Sequence, residues 1–251
     1  MTSNRLRLID TYRGLTIISM IIFHACWDLY YFNMGITADL LFGKKAYIWQ
    51  QSICYSFILL SGFCFSYGHH HIKRGLMSLG GGILISIVTA LVIPDERDLF
   101  GVLWMLGSSM LIMTMIDKII PKNRKWMGFF LIISLVLFII TRNINSGFLG
   151  FEGINICRLP INLYKGYFMT YIGFMDPGFY SSDYFSLIPW LFLFMTGYFI
   201  QKILLNNEKV KKIMLVGIKP LEVIGRHSFI IYMSHQVILY GIVYLISLIY
   251  R

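Results

Sequence analysis

The sequence predicts an all-α, polytopic bundle of about seven membrane spans, with the N-terminus cytoplasmic. Two observations predict it. The chain is 57% hydrophobic and only 14% charged, against about 45–50% and about 25% in soluble domains. Its apolar residues also gather into segments long enough, or nearly so, to cross a hydrocarbon core of about 30 Å. Neither the amphipathic stripe of a soluble helix nor the alternation of a barrel strand runs through them.

The segments fall at roughly 14–34, 47–67, 76–93, 99–116, 126–141, 184–201 and 228–249. The first follows a charged cluster of Arg7, Asp10 and Arg13. The second ends FILLSGFCFS, where Ser61 and Gly62 permit close helix approach. A short acidic connection, Pro94–Asp98, separates the third from the fourth. The fifth is short and borrows from its flanks. The sixth, DYFSLIPWLFLFMTGYFI, carries Pro189, expected to kink the helix near its outer end. Trp190 beside it suits either an interfacial belt or a pocket wall. The last segment opens GRHSFIIYMSHQ, with Ser228 suited to cap it. The one long connection, Thr141 to Asp183, is expected to be a re-entrant or interfacial lid on the outer face. The chain, 1–251, reads as a single transmembrane domain without internal repeats, which weighs against an inverted-repeat transporter.

The net charge of +10 is distributed as a membrane protein's would be. With the N-terminus inside, the outer connections hold Lys44, Lys45, Arg97, Arg142, Arg158, Lys165 and Arg251, leaving fifteen of the 22 lysines and arginines inside. That asymmetry sets the orientation, and an odd number of spans puts the C-terminus outside. Nucleic acid is excluded as a partner. No short apolar core with a small-residue cleavage site opens the chain, so the first span is expected to stay uncleaved. Cys26, Cys54 and Cys64 lie in predicted spans and, with Cys157, show no CxxC spacing. No metal site is expected. In the run His69, His70 and His71, adjacent rings do not converge readily on one ion and no acidic partner is near. Phosphate-loop, HExxH and nucleophile-elbow motifs are missing.

The chemistry is expected inside the membrane. His24 and Asp28 lie deep in the first span at i, i+4, on one helix face. A charged group at such depth costs roughly 2.5–3.5 kcal/mol on insertion scales. It persists where it is paired, faces the bundle interior or works. His235 in the last span lies at a comparable depth, roughly 10–11 Å in against roughly 13–14 Å for His24. An imidazole beside a carboxylate is a general-base pattern, although a lone buried histidine equally serves to specify packing. Arg226 and His227 fall at the same interface as Arg7 and Arg13, as a phosphate site or as positive-inside anchors.

Four stretches taken together carry a family likeness: RLRLIDTYRGLTIISMIIFHACWDLYYF (5–32), FILLSGFCFS (57–66), DYFSLIPWLFLFMTGYFI (183–200) and IGRHSFIIYMSHQ (224–236). Their order and spacing resemble the bacterial relatives of heparan-α-glucosaminide N-acetyltransferase, in the transmembrane acyltransferase superfamily. The family's opening motif matches Arg7, Asp10, Arg13 and Gly14, with Leu8 in place of a small residue, and the bacterial histidine position matches His24. The resemblance implies an N- or O-acetyltransferase. Acetyl would pass from cytoplasmic acetyl-CoA to an amine or hydroxyl acceptor on the other face, a terminal glucosamine of heparan sulfate for the lysosomal enzyme.

On this reading His24, Asp28 and His235 are catalytic, with Asp28 orienting His24. Arg7, Asp10, Arg13, Arg226 and Ser61 bind acetyl-CoA, and Trp27, Asp183 and Trp190 bind the acceptor. The expected partners are acetyl-CoA, a small-molecule or glycan acceptor and the lipid bilayer of a bacterial plasma membrane, with a homodimer left open. Two other classes stand beside it. They are a haem protein with His24 and His235 as axial ligands, and a proton-coupled transporter with His24 and Asp28 as its relay.

Overall fold

The computed structural model describes residues 5–121 and 123–249. Lys122 and Arg251, used above in the charge count, lie outside them. The helices are α1 (Arg7–Tyr31), α2 (Ala38–Phe42), α3 (Lys44–Phe65), α4 (His71–Val92), α5 (Val102–Ile119), α6 (Arg124–Thr141), α7 (Gly166–Ile172), α8 (Leu187–Leu204), α9 (Glu208–Met214), α10 (Lys219–Arg226) and α11 (Ser228–Ile249). Seven of them, α1, α3, α4, α5, α6, α8 and α11, are long and apolar enough to cross a bilayer. The protein is an all-α polytopic bundle and an integral membrane protein, and its spans are those expected from the sequence. The chain divides into two compact units, Met1–Phe57 with Leu205–Arg251, and Ile58–Leu204.

The first unit is built on α1. Ile17, Met20 and Phe23 recur along one of its faces and bury against Ala46 and Ile53 of α3, with Trp27, Trp49, Ile231 and Tyr232 around them. Trp49 Nε1 donates to Ser19 Oγ at 2.8 Å. On the other side, α1 and α10 meet backbone to backbone. A Cβ on Gly14 would stand 2.1 Å from the Leu221 carbonyl oxygen, and one on Gly225 1.9 Å from that of Asp10. Small residues at a helix contact let two backbones approach this closely.

In the second unit α4 pairs with α5 and α6 with α8. Ser78 Oγ donates to the Leu103 carbonyl at 3.0 Å, and Trp104 Nε1 to Ser86 Oγ at 3.1 Å. Thr196 Oγ1 joins Ser134 Oγ at 3.0 Å. Such bonds between spans contribute about 0.6 kcal/mol each on average, so they set register more than they hold the bundle. The end of α3 meets α8 at Gly62 and Gly197, where a Cβ would lie 1.9 Å and 2.2 Å from opposing carbonyl oxygens. The expected kink in α8 sits at Ile188 (φ −98°, ψ 130°), before the cis-bonded Pro189. A residue ahead of proline is pushed out of the helical region.

The long connection is more ordered than the sequence suggests. It holds an antiparallel hairpin of β1 (Phe148–Phe151) and β2 (Ile154–Arg158), then the roughly two turns of α7. Glu152 and Gly153 both take positive φ, 42° and 83°, as a tight two-residue hairpin turn requires. Arg142 pairs with Glu152 at 3.0 Å and closes the hairpin onto the end of α6.

Candidate active site

Two clusters form within the first unit, one at the start of α1 and one farther along it. The first follows from the glycine contact of α1 with α10, which brings four guanidinium groups around two carboxylates. Asp10, 6% exposed, faces Arg5 at 2.5 Å, Arg13 at 3.7 Å and Arg226 at 3.8 Å. Glu222, 3% exposed, takes Arg7 at 2.8 Å and Arg226 at 3.1 Å. Arg13 Nη1 also reaches the Gly225 carbonyl at 3.4 Å. The hydrogen bond from Arg7, and beyond it the charges of Arg7 and Arg226, hold Glu222 below the usual carboxylate range against the opposing effect of its burial. Two positive charges remain in excess, and Arg226 is 40% exposed at its side chain, so the cluster can take a further anion.

The second cluster is where α1 and α11 bring their ionisable residues together. The rings of His24 and His235 meet edge to face, centroids 4.9 Å apart. His235 Nδ1 lies 2.6 Å from the Tyr232 carbonyl, which can only accept, so Nδ1 carries the proton. Nε2 of the neutral ring is then a bare acceptor, buried and without a partner among the described residues. Asp28 Oδ1 accepts from Gln236 Nε2 at 2.9 Å, while Oδ2 is buried and unbonded among the described residues. No hydrogen bond joins Asp28 to His24 among the described residues. Its bond comes from Gln236 instead. Two metal–nitrogen bonds of about 2 Å with a ring beyond each would hold the centroids farther apart than 4.9 Å, so the pair as placed does not fit axial haem ligation.

The remaining candidates are placed as follows. Trp27 lies in the first unit, edge to face on Phe42 of α2 at 5.2 Å. Ser61, Asp183 and Trp190 belong to the second unit. Ser61 precedes the Gly62 contact with α8. Trp190 is 5% exposed beside Phe138 and Phe185, with the Arg142 guanidinium 4.9 Å over its ring. Asp183 lies beside Asp98. Glu222 and Gln236 went unnoticed in the sequence. For Glu222 a signal existed, since it stands four residues before Arg226 on α10. Gln236 follows His235 directly, about 100° around the helix, and nothing local ties it to Asp28.

A family model described as heparan-alpha-glucosaminide N-acetyltransferase, catalytic, matches residues 5–237. The match runs from the charged opening of α1 to the residue after Gln236, so both clusters lie within it. No curated protein and no solved structure matches the chain. With a family model covering nearly its whole length, the chain belongs to the heparan-α-glucosaminide N-acetyltransferase catalytic family and is a membrane acetyltransferase.

Proposed function

We propose that the protein moves an acetyl group from acetyl-CoA, bound from the cytoplasmic side, to an amine or hydroxyl of a sugar on the outer face of a bacterial plasma membrane. The observation that carries this is the histidine cluster, where the rings of His24 and His235 meet and where Asp28 Oδ2 and His235 Nε2 are buried without a partner among the described residues. Arg13 and Arg226 take the nucleotide phosphates, held by Asp10 and Glu222, with Arg7 in the same network. His24 lies eleven residues beyond Arg13, roughly 16–17 Å along the helix, a distance suited to an extended pantetheine arm. Trp27, three residues beyond His24 on the same helix, is assigned to the acceptor.

At the thioester, His24 removes a proton from the acceptor nitrogen or oxygen as that atom attacks the carbonyl carbon. His235 Nε2 and Asp28 Oδ2, both without a partner among the described residues, receive hydrogen bonds from other hydroxyls of the sugar, and Gln236 keeps the Asp28 carboxylate still. The carbon–sulfur bond then breaks and the proton on His24 passes to the CoA sulfur.

The test is transfer of labelled acetyl from acetyl-CoA to a panel of amino and neutral sugars by purified protein, with CoA binding measured in the same preparation. His24→Ala is expected to lower transfer about 10²–10⁴-fold and to leave acetyl-CoA affinity nearly unchanged, since His24 is too deep to meet the nucleotide. Near-normal turnover in that variant would return His24 to a packing role.

A further inference from the structure

The second unit has a pocket of about 800 Å³ where the first turns of α4 meet the last turns of α5. No step of the acetyl transfer proposed above uses it. Its rim is basic, with His70 and Lys73 from the start of α4 and Lys118 from the end of α5. Its wall is apolar. Ile72, Leu76 and Met77 are 55%, 56% and 53% exposed, on the flank of a helix that crosses the membrane. Leu76 stands one turn deeper than Ile72, and Met77 one turn deeper than Lys73, so the lining changes from charged to apolar along the helix axis.

Among the described residues neither Lys73 nor Lys118 makes an ion pair. Asp117, next to Lys118, receives instead the hydroxyl of Tyr198. His71 also lines the pocket. Its ring stacks on Phe65 at 4.3 Å, and its Nδ1 is buried with no partner among the described residues. A ligand that satisfied the pocket would carry an anionic, hydrogen-bonding head and a long apolar tail. A free phosphate meets only the rim, whereas the exposed wall suits an acyl chain. Basic pockets between spans at the membrane interface are where anionic headgroups bind.

We propose that this pocket holds the headgroup phosphate of an anionic phospholipid between Lys73, Lys118 and His71, with an acyl chain along Ile72, Leu76 and Met77. The site is independent of the acetyl-transfer reading and stands or falls without it.

The test uses the whole protein, purified and returned to nanodiscs of phosphatidylcholine doped with brominated phosphatidylglycerol or brominated phosphatidylcholine. A fluorophore at the start of α4 reports proximity by quenching. Stronger quenching by the glycerol lipid is expected in the native protein. In Lys73→Gln/Lys118→Gln the preference should fall by roughly fivefold per lysine, and both residues are exposed enough for the fold to survive the change. Glycerol 3-phosphate and inorganic phosphate, added to millimolar levels, should not displace the lipid. Equal quenching by both lipids would overturn the proposal, as would an unchanged preference in the double variant. Displacement by either free phosphate would assign the rim to a soluble anion and remove the lipid.

Discussion

Asp98, on the connection between α4 and α5, is held among groups that favour its neutral form. It is 9% exposed, and its Oδ1 is buried and unbonded among the described residues. Bonds from Ser182 N to the Arg97 carbonyl, Leu99 N to Ser181 Oγ and Phe185 N to the Phe100 carbonyl bring Asp183 alongside. Burial, and after it the charge of Asp183, pushes the Asp98 carboxyl up to about 8, against about 3.9 in an unfolded chain. The folded state therefore keeps a proton that the unfolded state has lost between about pH 4 and about pH 8. Stability is greatest below that window and declines as pH rises through it. Thermal melts in detergent should fall steadily from pH 5 to pH 8.5, and Asp98→Asn should flatten the slope and raise the melting temperature at the alkaline end. The same slope in the variant would exonerate Asp98. Residues of this kind differ in how visible they are in sequence. His24 and Arg13 stand out because ionisable groups in or beside an apolar run are rare and expensive. Asp183 beside Asp98, or Gln236 on Asp28, depends on chain segments far apart, and no local pattern announces either.

Among the elements, α10 is the one on which the charged cluster depends. It has eight residues and only Glu222 and Gly225 are buried, so its place is set by the glycine contacts with α1. Gly225→Ala would put a methyl group 1.9 Å from the Asp10 carbonyl. Backbone cannot yield as a flexible side chain can, so α10 should be displaced at a cost of about 1–3 kcal/mol. The expected outcome is weaker acetyl-CoA binding by calorimetry together with a lower melting temperature. Unchanged binding would separate the arginine cluster from the nucleotide. Neither α9 nor α10 was legible, because hydropathy finds long apolar runs and KPLEVIGR is short and amphipathic. The hairpin of β1 and β2 was missed for a related reason. Its turn, Glu152–Gly153, is weaker as a signal than Asn-Gly or Asp-Gly, and it lies amid Asn, Gly and aromatic residues that read as loop. The seven spans were legible because a bilayer imposes one length on all of them.

For the whole molecule, orientation is the quantity that the basic residues decide. A reporter fused after Arg251 is expected to read the outer side, and one inserted at Lys209–Lys212 the cytoplasm. Both on one side would contradict an odd number of spans between the N-terminus and the C-terminus. The same ordering of the chain has a consequence for synthesis. The first unit is made of both ends of the sequence, and Gln236 meets Asp28 across 208 positions. At about 5–20 residues per second, α1 waits in the membrane for roughly 10–40 s with Asp28 unpaired before α11 leaves the ribosome. Until then the nascent protein has Arg7 and Arg13 of α1 but neither Glu222 nor His235. A chain that stalls or is cut short within the second unit therefore holds neither the carboxylate of Glu222 nor the second histidine, and its Asp28 stays without the amide of Gln236.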